Sequence, residues 1–381
     1  MSDGYKHLFR RSLAAAPERL HFAAHSHHLW PDASHEGQMA AWEDAARFAD
    51  RKWSRVMDEV WPAAQRQVAE ELSLPDPDTV VFAGNTHDFL VRILSAIDRR
   101  PVRILTSEGE FHSFRRQAER WVEGGTATVD ALPVGEDLVD RLLARAGERA
   151  YDLILVSQVM FGTGLVVPGI ERLAAIARPD GPWVVIDGYH GFMAVPTDLS
   201  AVADRVFYLA GGYKYAMAGE GVGLMHAPPG FGPRPEVTGW YAAFDDLASP
   251  PGSVGYAPDA RRFMGATFDP SGLYRFVAVR DMLAREGLDM AAMAAHADAL
   301  KRQLLGGLGD TPLAGAELCN PPAEGSARFL AFRSPDAQRW QQALSARDIV
   351  TDARGDVLRI GFGPYQDEAD VAALLQALAR L

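Results

Sequence analysis

The chain has 381 residues, 48% hydrophobic and 23% charged, with a mean hydropathy of −0.10; this is the profile of a globular protein whose length sets a prior of about two domains. A net charge of −12 argues against a nucleic-acid backbone or an anionic membrane as main partner, because both reward clustered Lys and Arg. A single cysteine, Cys319, excludes an internal disulfide framework and a cysteine-rich metal site.

The opening segment "MSDGYKHLFRRSLAAAPERL" has no apolar core of signal-peptide length, and no later run approaches the roughly 20 apolar residues of a membrane helix. With the lone cysteine, this leads us to expect a cytoplasmic protein. "HFAAHSHHLWPD" follows, carrying His21, His25, His27 and His28. Imidazole clusters bind zinc, but no carboxylate or thiol lies in step with these, so no metal is expected. Residues 36–72 read as helix. Short apolar runs then recur, each followed by a polar or glycine-rich turn: "TVVFAGN" (79–85), "VRILTSE" (102–108), "YDLILVSQ" (151–158), "PWVVIDG" (182–188) and "RVFYLAGG" (205–212). Such runs suit parallel strands buried on both faces. Helical periods such as "DFLVRILSAIDRR" and "GIERLAAIARPDG" lie between them, which predicts a doubly wound α/β domain with ligands at the carboxyl ends of its strands. Beyond about residue 275 a long helical stretch leads to "ARFLAFR", "DVLRIGF" and a last helix, as in a smaller α+β domain. The expected division is an N-terminal arm (1–35), a large domain (36–270) and a small C-terminal domain (271–381).

Three strand ends carry unusual groups. "VVIDGYHG" runs into Asp187, with His190 in the turn beyond; "FAGNTHDFL" joins strand to helix through Asn85, Thr86 and His87; "YLAGGYKY" delivers Lys214 between two tyrosines. Alone, each has a plainer reading: a turn or helix cap for Asp187, an ordinary N-cap for Asn85 or Thr86, a snorkelling surface lysine for Lys214. Together they supply what pyridoxal phosphate needs, namely an amine to hold it covalently, a carboxylate for its pyridine nitrogen and a helix N-terminus for its phosphate. No G-x-x-x-x-G-K-[ST] motif competes, and "GEGVG" after the lysine does not open a helix.

On "DGYHGFMAVP", "GGYKYAMAGEGVG", "SEGEFHSF" and "DARGDVLRIGFGPYQDEADV", the chain resembles the fold-type I, class V aminotransferase superfamily, and within it is most similar to the kynureninases. The resemblance implies a large, mainly parallel sheet domain with a small C-terminal domain, Lys214 as the Schiff-base lysine, Asp187 at the pyridine nitrogen and His190 near the ring oxygen or phosphate. It implies phosphate contacts from Thr86, with Asn85 and His87 beside it, and from Tyr213. It implies an aromatic ring on the cofactor, Phe111 or, one residue along, His112. Arg359 would grip the α-carboxylate of an amino-acid substrate; read alone, it could equally be a solvent-facing strand residue. His25 and Ser26 would form a turn beside the substrate. Trp240 matches a tryptophan whose ring nitrogen reaches a cofactor phosphate, and Thr267 a cofactor-binding residue donated across a dimer interface, so a homodimer with shared active sites is implied.

Two positions depart from the kynureninase pattern: Met160 stands in "SQVMFGTG" where an asparagine is usual, and "AAHSHHL" replaces a Gly-Asn-Ser turn. "ARDIVTDARGDVLR" lacks the nucleophilic cysteine of a desulfurase, and Cys319 reads as packing at a strand start, so desulfurase chemistry is not expected. The expected activity is hydrolysis of the Cβ–Cγ bond of kynurenine or a related β-acyl alanine. The alternatives are a class V aminotransferase and a protein that keeps the fold for binding alone.

Overall fold

In the computed structural model, which describes residues 4–246 and 252–381, the chain enters through a short strand, β1 (Leu20–His21), and then builds a seven-stranded sheet. Its strands are β2 (Val80–Ala83), β3 (Val102–Ser107), β4 (Ala127–Leu132), β5 (Leu153–Ser157), β6 (Trp183–Asp187), β7 (Val206–Gly211) and β8 (Gly223–His226), in the order β2-β8-β7-β6-β5-β3-β4. Strands β3 to β7 pair in parallel, and β8 is antiparallel to both neighbours, so β2 points the same way as the parallel set. The inner strands β5, β6 and β7 are buried almost throughout, as continuous apolar runs require when helices cover both faces. At the far edge, "ATVDAL" of β4 buries only its end residues.

The helical reading of 36–72 is interrupted. The helix Asp32–Phe48 stops at Ala49, whose φ of 49° lies in the left-handed region, and the chain passes through a 3-10 turn (Ala49–Arg51), a four-residue α-helix (Lys52–Arg55) and a π turn (Val56–Val60) before the longer helix Trp61–Leu72. "GIERLAAIARPDG" forms a 3-10 helix, Ile170–Ile176. The long stretch after 272 is two helices, Ser271–Arg285 and Met290–Gly306, divided at Gly287 (φ 63°) and restarted by Asp289, whose side chain accepts from the Ala292 amide at 2.8 Å.

The second unit contains β9 (Glu317–Leu318), β10 (Phe329–Arg333), β11 (Ile349–Val350), β12 (Asp352–Arg354) and β13 (Val357–Gly361). Four of these form an antiparallel sheet ordered β12-β13-β10-β9, while β11 pairs in parallel with β1 of the N-terminal arm. Leu300, Leu304, Trp340, Leu358, Ile360 and Leu374 make its core, joined by Phe22 of the arm. The helix Ser271–Arg285 instead buries Leu273, Phe276, Val279 and Leu283 in the large core. It lies so close to Asp32–Phe48 that a Cβ at Gly37 would sit 2.5 Å from the Tyr274 carbonyl oxygen. Within Met290–Gly306, Met293 still joins the large core, whereas Ala297, Leu300 and Leu304 join the second one. A third apolar cluster, including Val159, Val195, Phe329 and Val357, fills the seam between the units, and the arm and the catalytic-type residues meet along it.

Candidate active site

The carboxyl ends of β2, β6 and β7 open on one cavity of about 240 Å³. The β2 side supplies Asn85, Thr86 and His87; β6 supplies Asp187, Tyr189 and His190; the β7 turn supplies Tyr213 and Lys214; Phe111 and Ser157 line the wall between them.

Lys214 is held by a tight reversal after β7. The Ala218 amide donates to the Gly212 carbonyl at 2.8 Å, Arg275 Nε donates to the Ala218 carbonyl at 2.7 Å, and Gly219, with a φ of 71°, lies against Trp30. Lys214 is 4% exposed, and its amine lies 3.0 and 3.2 Å from the two ring nitrogens of His190 and 4.6 Å from the centre of the Tyr189 ring. Burial drives its pKa down to about 7, with Arg359 pushing the same way and Asp187 opposing. A lysine so placed gives up near neutral pH the proton that an ordinary one keeps, which makes it a nucleophile and a base.

Asp187 ends β6, and its Oδ1 accepts from the Tyr189 amide at 2.9 Å. Burial raises its pKa, against that hydrogen bond and the attraction of Lys214. His190 is buried and held neutral, first by desolvation and then by the charges of Lys214 and Arg359.

At the other end of the cavity the helix Thr86–Ser95 starts under Asn85, whose side chain accepts from the Asp88 amide at 3.1 Å. His87 Nδ1 is buried with no hydrogen-bond partner among the described residues. An amine short of charge, a buried carboxylate, an orphaned ring nitrogen and a helix N-terminus around one cavity fit a cofactor with an aldehyde, a basic ring nitrogen and a phosphate.

Of the two candidate stacking residues, Phe111 lines the cavity, its ring centre 5.4 Å from Lys214 Nζ, whereas His112 lies outside the wall, its ring 5.2 Å from that of Phe161. Arg359 on β13 is buried rather than solvent-facing; its Nη1 donates to the Phe161 carbonyl at 2.5 Å and its Nη2 to Asp352. The arm reaches this seam through a turn in which the Ser26 and His27 amides both donate to the Ala23 carbonyl. Ser26 is half-buried, and His25 is fully buried with its ring stacked 4.7 Å from Phe329. That ring needs a glycine opposite: a Cβ on Gly361 would fall 2.2 Å from His25 Nδ1.

The other three histidines of the cluster diverge. His21 bonds the Tyr365 hydroxyl at 2.7 Å, His28 the Leu29 carbonyl at 2.7 Å, and His27 stacks on Tyr213 at 4.9 Å. Met160 is buried with its sulfur 3.9 Å from the Ser107 hydroxyl, and Cys319 lies beside β10, its amide donating to the Ala331 carbonyl. Trp240 is half-exposed, packed on Tyr241 and Phe244, and Thr267 is exposed; neither lines the cavity.

Glu110 was not singled out from the sequence, although it sits in "SEGEFHSF" beside the aromatic that was. It is buried behind Ser157, accepting from the Ser107 hydroxyl at 2.5 Å, the Ser157 hydroxyl at 2.6 Å and the Ser157 amide at 3.2 Å. Burial pushes its pKa up to about 7 in spite of those donors. A carboxyl raised in the folded state favours folding when protonated, so its contribution is full below the ordinary value of 4.5 and is lost as pH rises through about 7. Glu110→Gln is therefore expected to melt several degrees higher than the parent at pH 8 and to lose this advantage by pH 4.5. Melting curves across that range check it, and a gap independent of pH would show that folding does not raise the Glu110 pKa.

Comparison with known proteins fits this geometry. The sequence model of the class-V aminotransferases matches residues 50–374. The chain belongs to the class-V aminotransferase family. Its cofactor is accordingly pyridoxal 5'-phosphate. The chain is 29% identical over 351 residues to isopenicillin N epimerase of Streptomyces clavuligerus, covering 84% of this chain and 85% of that one. It is 26% identical over 326 residues to a probable cysteine desulfurase of Pseudomonas aeruginosa, covering 81% and 74%. Among solved structures it is similar to a cystine C-S lyase in complex with cysteine persulfide, with a TM-score of 0.82 at 20% identity over 97% of this chain and 99% of that one. That likeness shows the fold, an α/β architecture with a large, mostly parallel sheet. None of these three is a kynureninase, so the family is shown and the narrower resemblance receives no specific support.

Proposed function

We propose that this class-V enzyme transfers the Cα proton of an α-amino acid, with Lys214 as the base. The observation that carries the reading is the buried Lys214 amine, depressed toward neutrality between His190, Tyr189 and Phe111 and within the field of Asp187. When bound, pyridoxal phosphate supplies an electron sink for the pair left on Cα. Lys214 would hold it and serve as the base for the Cα proton. Asp187 would keep its ring nitrogen protonated, Phe111 would pack against it, and Thr86, His87 and Tyr213 would hold its phosphate. Arg359 receives the α-carboxylate, for which its planar fork is suited.

Epimerisation is the outcome we favour over cleavage of a β-acyl side chain. It needs only proton transfer, it is the activity named for the relative matched over 84% of this chain, and the loop beyond β5 presents buried Met160 where a kynureninase-like site has an amide. A class V aminotransferase shares the first step. Sulfur transfer is disfavoured because "ARDIVTDARGDVLR", the segment leading to Arg359, has no cysteine. We place Trp240 and Thr267 at the contact with a second copy, where exposed Val237, Phe244 and Val254 add apolar surface.

The test is to incubate the holoprotein with single L-amino acids in deuterated buffer, following loss of the Cα proton by NMR and the products by chiral chromatography. Exchange with appearance of the D-form supports epimerisation; an acid and alanine, or a keto acid, would instead give hydrolase or aminotransferase. No exchange with any amino acid would remove the Lys214 reading.

A further inference from the structure

The arginine assigned to the substrate is already occupied by a carboxylate of its own chain. Asp352 on β12 stands directly opposite Arg359 on β13 in the antiparallel register, and Arg359 Nη2 donates to Asp352 Oδ2. Nη1 is taken by the Phe161 carbonyl at 2.5 Å, and Nε is buried with no partner among the described residues. Two further groups face the same oxygen of Asp352: Arg354 Nη2 at 3.5 Å and His25 Nε2 at 4.0 Å. The pair is buried, with the Arg359 side chain 3% and the Asp352 side chain 13% exposed, while the Arg354 side chain is 47% exposed.

A substrate carboxylate cannot join this arrangement without displacing a ligand of Arg359, because a guanidinium edge that holds one carboxylate has no room for another. We propose that Asp352 is a specificity-determining residue: it competes with the incoming α-carboxylate for Arg359, yields it by turning to Arg354, and by neutralising Arg354 there turns away a second carboxylate on the substrate side chain. This rests on the reading of Arg359 as the α-carboxylate site. The charges of Arg354 and Arg359 against that of Asp352 leave one net positive charge, enough for one carboxylate; removing Asp352 leaves two. A buried arginine deprived of its partner also donates more strongly to any anion that reaches it.

The test is equilibrium binding to the holoprotein by titration calorimetry with L-alanine and L-glutamate, in the parent, Asp352→Asn and Arg359→Lys. Asp352→Asn is expected to bind L-alanine about tenfold tighter and L-glutamate about a hundredfold tighter, since each freed cationic partner is worth one charge-assisted bond. Arg359→Lys is expected to weaken both about tenfold or more. If Arg359→Lys weakens binding but Asp352→Asn leaves both affinities unchanged or lowers them, the competition is refuted and the carboxylate reading stands. If Arg359→Lys changes nothing, or neither amino acid binds either protein, the carboxylate reading fails and takes the proposal with it. Should Asp352→Asn not fold, a crystal structure of the parent holoprotein with L-alanine decides. Asp352 turned onto Arg354 is the expected result, and Asp352 still on Arg359 with the ligand carboxylate elsewhere overturns the proposal.

Discussion

Lys214→Ala is expected to end turnover, with a loss of roughly 10²–10⁴-fold for the missing proton transfer alone and a further loss because the cofactor is no longer held covalently. The fold should survive, since the side chain contributes chemistry at a cost in stability. Its folded pKa, down to about 7, lies below the ordinary 10.5, so the folded apoprotein carries no penalty for this group above pH 10.5, an increasing one as pH falls, and the full one below about 7. The apoprotein of Lys214→Ala should thus melt at least as high as the parent apoprotein at pH 7, with the difference shrinking toward pH 10. Melting curves of both apoproteins check this; a mutant that melts lower at pH 7 would mean that Lys214 stabilises the seam as a cation.

Asp187→Asn should still bind the cofactor, because the phosphate end and Lys214 are untouched, yet it should lose roughly 10²–10³-fold in kcat, the cost of removing one charge-stabilising contact from a preorganised site. An amide cannot keep a proton on a basic ring nitrogen, so electron withdrawal from Cα weakens. The fold should hold, as the Tyr189 amide can still donate to the amide oxygen that replaces Asp187 Oδ1. Cofactor content from absorbance and kcat from the exchange assay read the two effects separately. Near-normal turnover would make Asp187 a cap for the turn at Tyr189 and nothing more.

Much of this was legible in the sequence because buried parallel strands leave a strong mark. The runs at 79–85, 102–108, 151–158, 182–188 and 205–212 each contain a strand of the large sheet, and residues at or just beyond their ends line the cavity. What was missed was written more faintly. Strand β4 lies at an edge, so Thr128, Val129 and Ala131 are exposed, half-buried Asp130 breaks the apolar run and the pattern of a buried strand is missing. Strand β8 is four residues long and follows a glycine-rich reversal. The break after Phe48 has no glycine or proline to announce it, because Ala49 takes the left-handed conformation itself. Glu110 was hidden since burial, which gives it its character, is a property of packing. Asp352 could have been found: "TDARGDVLR" is a short hairpin about Gly355, and pairing Arg354 with Val357 puts Asp352 opposite Arg359.

The central claim is that the cofactor is held at Lys214, in the cavity where β2, β6 and β7 end. Reduction of the purified holoprotein with borohydride, followed by digestion and peptide mass spectrometry, tests it directly. The account predicts one pyridoxyl adduct, on the peptide that contains Lys214; an adduct on a different lysine, or none from protein shown to contain the cofactor, would contradict it.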